Sequence, residues 1–158
     1  MHNPLSHQYF PYPIQILCAI ISYELFRNER YLIIMNIIIV GCGKVGCTLV
    51  EALSSENHNI VVIDSRPEKV SALTDTADVM GIVGNGVSHT TLKQAGIETA
   101  DLLIAVTGSD EENLLCCVIA KKSGHCQTIA RIRNPIYNEE KDFLQKEFGL
   151  SMIINPEL

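Results

Sequence analysis

The stretch "IIIVGCGKVG", residues 37–46, sets four β-branched residues directly against three glycines in the pattern G-x-G-x-x-G. An unbroken β-branched run bounded by glycine reads as a strand buried on both faces. The "GKVGCTLVEALSSEN" that overlaps it (43–57) carries its apolar residues at helical spacing. The glycines therefore stand at a strand-to-helix turn. Gly41 lets the chain leave the strand sharply, Gly43 lets a pyrophosphate approach the backbone with no Cβ in the way, and Gly46 lets the helix pack close to the sheet. Free amides at the start of that helix then face the phosphates.

The glycine pattern alone is weak, because any tight connection can use it, and the flanks decide. "NIVVIDS" (59–65) follows as a second buried strand and puts Asp64 eighteen positions after Gly46. There an acceptor-only carboxylate takes hydrogen bonds from both ribose hydroxyls of a dinucleotide and repels a 2′-phosphate, which favours NAD(H) over NADP. Ser65 and Arg66 complete this loop. Arg66 pulls the other way, toward a 2′-phosphate, but reads better as a solvated loop residue or a stacker on the adenine face. Lys44, inside the glycine turn, neutralises an outer phosphate or simply faces solvent. In the first case ATP or ADP competes with NAD(H) for the site.

The rhythm of alternating strand and helix continues to the end of the chain. "PEKVSALTD" (67–75) reads as helix, "DVMGIVG" (78–84) as strand, "SHTTLKQAG" (88–96) as helix and "ADLLIAVTG" (100–108) as strand. "DEENLLCCVIAKKSG" (110–124) has acids in its first turn, lysines in its last and Gly124 as a stop, which suits the helix dipole. "QTIARIRNP" (127–135) is a fifth strand, "YNEEKDFLQKEFG" (137–149) a further helix and "LSMIIN" (150–155) a sixth strand. The expected fold is α/β: a Rossmann-type, doubly wound, parallel six-stranded sheet in a three-layer α/β/α arrangement. Ligands in such sheets bind beyond the carboxyl ends of the strands, so the loops that matter are 41–46, 64–66, 84–87, 107–110 and 131–134. Asn85 and Gly86, with Thr107 and Gly108, leave room there for the adenosine and the far half of a dinucleotide. Arg131 pairs with phosphate, fixes its loop, or forms a salt bridge to the acids at 110–112.

The chain has 158 residues, 47% hydrophobic and 19% charged, as befits a globular domain with a real core. Eighteen acidic residues against twelve basic ones give a net charge of −6, which disfavours nucleic acid as a partner. Six cysteines without a C-x-x-C pair point to reduced thiols rather than a disulfide frame or zinc site. Cys42, in the glycine turn, is expected to have its pKa lowered by the helix N-terminus, as a redox sensor would, although a small residue that merely fits is the plainer reading. Residues 1–34 stand apart. "PIQILCAIISYELF" (13–26) meets Glu24 and Arg27 too soon to supply the ~20 apolar residues of a membrane span, and the segment lacks the marks of a secretory signal. It is expected to be an accessory segment, or upstream sequence translated from a misassigned start, with the nucleotide-binding domain spanning 35–158.

"NIIIVGCGKVG", "VVIDS", "KQAGIETADLLIAVTGSDEENLLCC" (93–117) and "IARIRNPIY" (129–137) together closely resemble the N-terminal nucleotide-binding domains of Trk-type potassium uptake regulators. This is the regulator-of-potassium-conductance (RCK, or KTN) family. The likeness spans nearly all of 35–158, and the 93–117 stretch is far more specific than the glycine turn. It implies a non-enzymatic cytoplasmic subunit, peripheral at the inner face of the plasma membrane, that assembles as a homo-oligomer. Such a subunit binds NAD(H) or an adenine nucleotide and gates an integral-membrane potassium transporter. Carried over by position, the phosphates fall to Gly41 through Val45, the ribose to Asp64, and further contacts to Thr107, Gly108 and Arg131. Family members continue into a crossover helix and a second ligand-binding subdomain, so the chain is expected to be truncated before them.

The alternative is the cofactor-binding half of an NAD-dependent oxidoreductase. Tyr137 and Lys141 form Y-x-x-x-K with Ser123 fourteen residues upstream, similar to the catalytic set of short-chain dehydrogenases. Those enzymes carry a T-G-x-x-x-G-x-G turn that is absent here, and a Tyr and Lys four apart are a common accident. Because the first sheet strand begins at Asn36, a chain starting at Met35 should keep the thermal stability and nucleotide affinity of the longer one. A large drop in its melting temperature would show that residues 1–34 pack on the core.

Overall fold

In a computed structural model, which describes residues 34–155, the chain from Asn36 alternates strand and helix as the sequence predicts. All but the last residue of the 1–34 segment lies outside the described residues. The strands are β1 (Asn36–Val40), β2 (Asn59–Asp64), β3 (Met80–Val83), β4 (Leu102–Ala105), β5 (Gln127–Arg131) and β6 (Met152–Ile154). Between them run α1 (Lys44–Ser54), α2 (Pro67–Thr74), α3 (His89–Gln94), α4 (Asp110–Ser123), α5 (Pro135–Glu139) and α6 (Lys141–Phe148). The sheet order is β3-β2-β1-β4-β5-β6, and every pairing is parallel. The chain thus winds outward from β1 to one edge, returns, and winds outward from β4 to the other. Strand order reverses between β1 and β4, and the exits of these two strands open a crevice there.

β1 shows why the sheet must be covered on both sides. Ile37 and Ile39 point to one face and Ile38 and Val40 to the other, all four nearly inaccessible to water. The first face packs under α1 and α2 through Leu49, Leu53, Val70 and Leu73, and the second under α3, α4 and α6 through Leu92, Leu114, Ala120 and Leu144. Each such aliphatic side chain contributes about 1.5–3 kcal/mol by leaving water, so an uncovered face would forfeit most of the core. The result is the three-layer α/β/α domain expected.

Two local features depart from the sequence reading. The helix expected over 137–149 is two helices: Asn134 caps α5 by accepting the Ile136 amide, and the backbone leaves helical geometry at Glu140 before α6 begins. β5 stops at Arg131 rather than running to Pro135, because the Asp110 carboxylate accepts the amides of Arg133 and Asn134 and draws the chain away from the sheet. Gly124 ends α4 as expected, in extended backbone. Its small size serves packing, since a Cβ there would lie 2.5 Å from the Ile97 carbonyl oxygen.

The glycine turn behaves in two ways. Gly41 has φ +108° and sits against the Val106 carbonyl, while a Cβ on Gly46 would collide with the carbonyl oxygen of Gly41. Gly43, by contrast, faces open space, with nothing within 4 Å of the position a Cβ would take. Gly46→Ala should therefore destabilise the domain by at least about 1–3 kcal/mol through overpacking. Gly43→Ala, at the N-cap of α1, should cost less than about 1 kcal/mol. Urea unfolding of the two variants checks the contrast; equal midpoints would mean the turn is not packed as described.

Candidate functional site

The exits of β1, β2 and β4 surround a cleft of about 350 Å³. Of the residues expected to contact a nucleotide, all but Cys42 and Gly46 line it: Gly41, Gly43, Lys44 and Val45 from the turn, Asp64, Ser65 and Arg66 after β2, Asn85 and Gly86 after β3, Thr107 and Gly108 after β4, and Arg131 at the end of β5. Gly46 instead packs beneath the turn, and Cys42 is buried. Lys44 is exposed at the start of α1, on the cleft side.

Asp64 is the centre of the site. Its Oδ2 accepts the Cys42 amide at 2.8 Å, and its Oδ1 accepts the Arg66 amide at 2.9 Å. The Arg66 guanidinium then closes over the same carboxylate, Nε to Oδ1 at 3.0 Å and Nη2 to Oδ2 at 3.0 Å. Burial alone would raise the carboxyl pKa, but the Arg66 side chain and the two backbone amides outweigh it and hold it down at about 2. Arg66 is a solvated loop residue as expected, its side chain half exposed, but its guanidinium is not free for stacking in this state: it is the counter-charge of Asp64.

The expectation of a lowered Cys42 pKa fails. Burial, then the Asp64 charge, push the thiol up to about 12, so it stays protonated at neutral pH. The turn's amide, not its thiol, is the chemically engaged group. Its reactivity is that of an inert packed cysteine rather than a redox sensor.

On the β4 side, residues that the sequence reading did not single out hold the rim. Asn113 is wholly buried; its Oδ1 accepts the Thr107 amide at 2.8 Å and the Thr107 hydroxyl at 2.7 Å, and its Nδ2 donates to the carbonyls of Thr107 and Arg131. This one amide group staples the ends of β4 and β5 together. Arg131 reaches back with Nη1 toward the Thr107 carbonyl at 3.5 Å, and Glu112 joins it on the cleft wall. Ser109 caps α4 by accepting the Glu112 amide, a pairing visible in the sequence as S-x-x-E. Asn113 gave no comparable signal, because its partners lie at the exits of two different strands.

The dehydrogenase-like trio is dispersed. The Tyr137 hydroxyl donates to Glu111 at the start of α4, while the Ser123 hydroxyl donates to the Ile119 carbonyl at its far end. Twelve residues of helix separate those points, roughly 18 Å. Lys141 opens α6, beyond the break at Glu140. None of the three lines the cleft. A second groove, of about 780 Å³, lies at the opposite end of the sheet around His58, Asp78 and Thr99; it includes Gly96 in the turn that follows α3 and is lined by the ends of helices rather than by their starts. Among the described residues no helix is long and apolar enough to cross a membrane.

Comparison with known proteins agrees with this fold. Among curated proteins, the Trk system potassium uptake protein TrkA of Azorhizobium caulinodans is 37% identical over 128 residues, covering 78% of this chain but 28% of that protein. The chain therefore corresponds to little more than a quarter of that relative's length. Among solved structures, the TrkA-N domain of the inner membrane protein ybaL from Escherichia coli superposes with a TM-score of 0.68 at 25% identity, covering 78% of this chain and 88% of that one. The GsuK channel, solved bound to NAD, shares the fold with a TM-score of 0.66 at 20% identity, covering 89% of this chain and 26% of its own. The TrkA-N domain family model matches residues 37–156, nearly the whole of the α/β unit, and the chain belongs to that family.

Proposed function

We propose that this chain is a nucleotide-sensing regulatory domain of a potassium uptake system, with NAD(H) as its ligand and ATP or ADP as competitor. The observation that carries the reading is the cleft at the strand-order reversal, where the open face of Gly43, the start of α1 and the Asp64 carboxylate converge. A pyrophosphate lies against the turn, with Lys44 beside its outer oxygens, and the adenosine ribose faces Asp64. The family membership and the NAD-bound GsuK channel support a nucleotide in this cleft. The name of the curated relative supports potassium uptake as the process. On this reading the domain works at the cytoplasmic face of the membrane as a homo-oligomer. Nucleotide binding biases the arrangement of paired copies, and an integral-membrane transporter subunit feels that bias.

Calorimetric titration of the purified chain with NADH, ADP, ATP and AMP tests the site. Asp64→Asn leaves one oxygen to accept the Cys42 amide but removes the charge and the second acceptor. It should weaken NADH and ADP alike by about 1.5–3 kcal/mol, roughly ten- to 150-fold. Lys44→Ala should weaken ATP more than AMP, since its charge acts on the outer phosphates. Unchanged affinities in Asp64→Asn would mean that the glycine turn only closes a connection. Sustained NADH oxidation with a small carbonyl substrate, abolished in Tyr137→Phe, would replace the regulatory reading with the oxidoreductase one.

A further inference from the structure

The four hydrogen bonds at Asp64 leave its carboxylate full. A carboxylate offers about four lone-pair sites, and here two are taken by the amides of Cys42 and Arg66 and two by the Arg66 guanidinium. The two backbone bonds hold the turn and the loop in place, so they are not available to a ligand. A ribose diol that is to reach Asp64 must take the places of Nε and Nη2. The guanidinium can yield them: its side chain is half exposed, it hangs from a loop residue, and outside Asp64 it has open solvent to move into. A group released in this way stays within one side-chain length of the carboxylate.

We infer that Arg66 is the specificity-determining residue of the cleft: it competes with a 2′-hydroxyl for Asp64 and pairs with a 2′-phosphate. The inference rests on the nucleotide reading proposed above and adds what that reading leaves open, namely how an acidic site treats the 2′ position. With Asp64 alone, a 2′-phosphate would meet an uncompensated negative charge. With the Asp64–Arg66 pair intact, it meets a charge already balanced, and a planar fork suited to phosphate oxygens. A 2′-hydroxyl nucleotide, by contrast, has to break that pair before it can bind. One residue thereby narrows the preference for NADH over NADPH from both sides.

The test is calorimetric titration of the full 158-residue chain and its Arg66→Ala and Arg66→Lys variants with NADH, NADPH and ADP, with melting temperatures confirming that each variant is folded. Arg66→Ala should tighten NADH and ADP about two- to fivefold, the scale of an exposed ion pair that no longer competes. The same variant should weaken NADPH about tenfold, as expected for loss of a charge-assisted phosphate contact. Arg66→Lys keeps the charge without the fork, so it should retain most of the NADPH affinity while still tightening NADH. Effects of one sign on all three ligands, or no effect on any, would overturn the inference while leaving the nucleotide site standing. Failure of the wild-type chain to bind any of the three would instead remove the proposed function, and the inference with it.

Discussion

The hydrogen bond from the Cys42 amide to Asp64 Oδ2, 2.8 Å long and spanning 22 residues of chain, ties the glycine turn after β1 to the end of β2. Much of the site's geometry follows from it. The turn must pass within reach of the carboxylate, so β1 and β2 must be neighbours in parallel register, as they are from Asn36 opposite Asn59 to Val40 opposite Ile63. The Gly41 amide donates to the Ile63 carbonyl one step earlier, which continues the ladder into the turn. Gly46 then lies on the Gly41 carbonyl, which fixes where α1 can start. The carboxylate is thus a structural acceptor as well as a candidate ligand contact, and its low pKa keeps it charged in both roles at neutral pH.

The fold was legible because its punctuation is local. Three of the βα units end in glycine, at Gly96, Gly124 and Gly149, and the β-branched run of β1 is followed at once by helical spacing, so element types and order could be read without tertiary information. The candidate site was legible for a related reason: in a doubly wound sheet the useful loops are the strand exits, and Asp64, Asn85, Thr107 and Arg131 all stand at them. The rest depended on neighbours far away in the sequence. β5 stops short because Asp110, 23 residues before Arg133, takes the Arg133 and Asn134 amides, and the break at Glu140 interrupts a stretch whose own residues suit one helix. The Cys42 thiol illustrates the same limit. Its place beside a helix start suggests a lowered pKa, whereas its surroundings bury it beside a carboxylate, and desolvation wins.

A chain with a net charge of −6 offers an anionic ligand little long-range attraction, so recognition has to be local. The cleft is built that way. Lys44, Arg66 and Arg131 bring three of the twelve basic residues to one rim, against Asp64 and Glu112. The amides at the start of α1 add partial positive charge that does not depend on any side chain. Such a site favours small ligands whose charge is concentrated in a phosphate pair, and it offers no extended basic track along which a polyanion could lie.

The strand exits are held by one repeated device, a side-chain acceptor that takes backbone amides from a neighbouring segment. Asp64 takes the amide of Cys42, Asn113 that of Thr107, and Asp110 those of Arg133 and Asn134. All three acceptors are buried and each takes at least one backbone amide, so the loops at the strand exits are held before a ligand arrives. Arg66 differs from these partners in every respect that matters: it is a side chain, it is half exposed, and it bonds an acceptor that the backbone already holds in place. Removing it would leave Asp64 anchored by its two amides, with the turn intact. On the proposed reading, this one guanidinium above a carboxylate held by backbone is where a difference of one phosphate on the ribose would be felt.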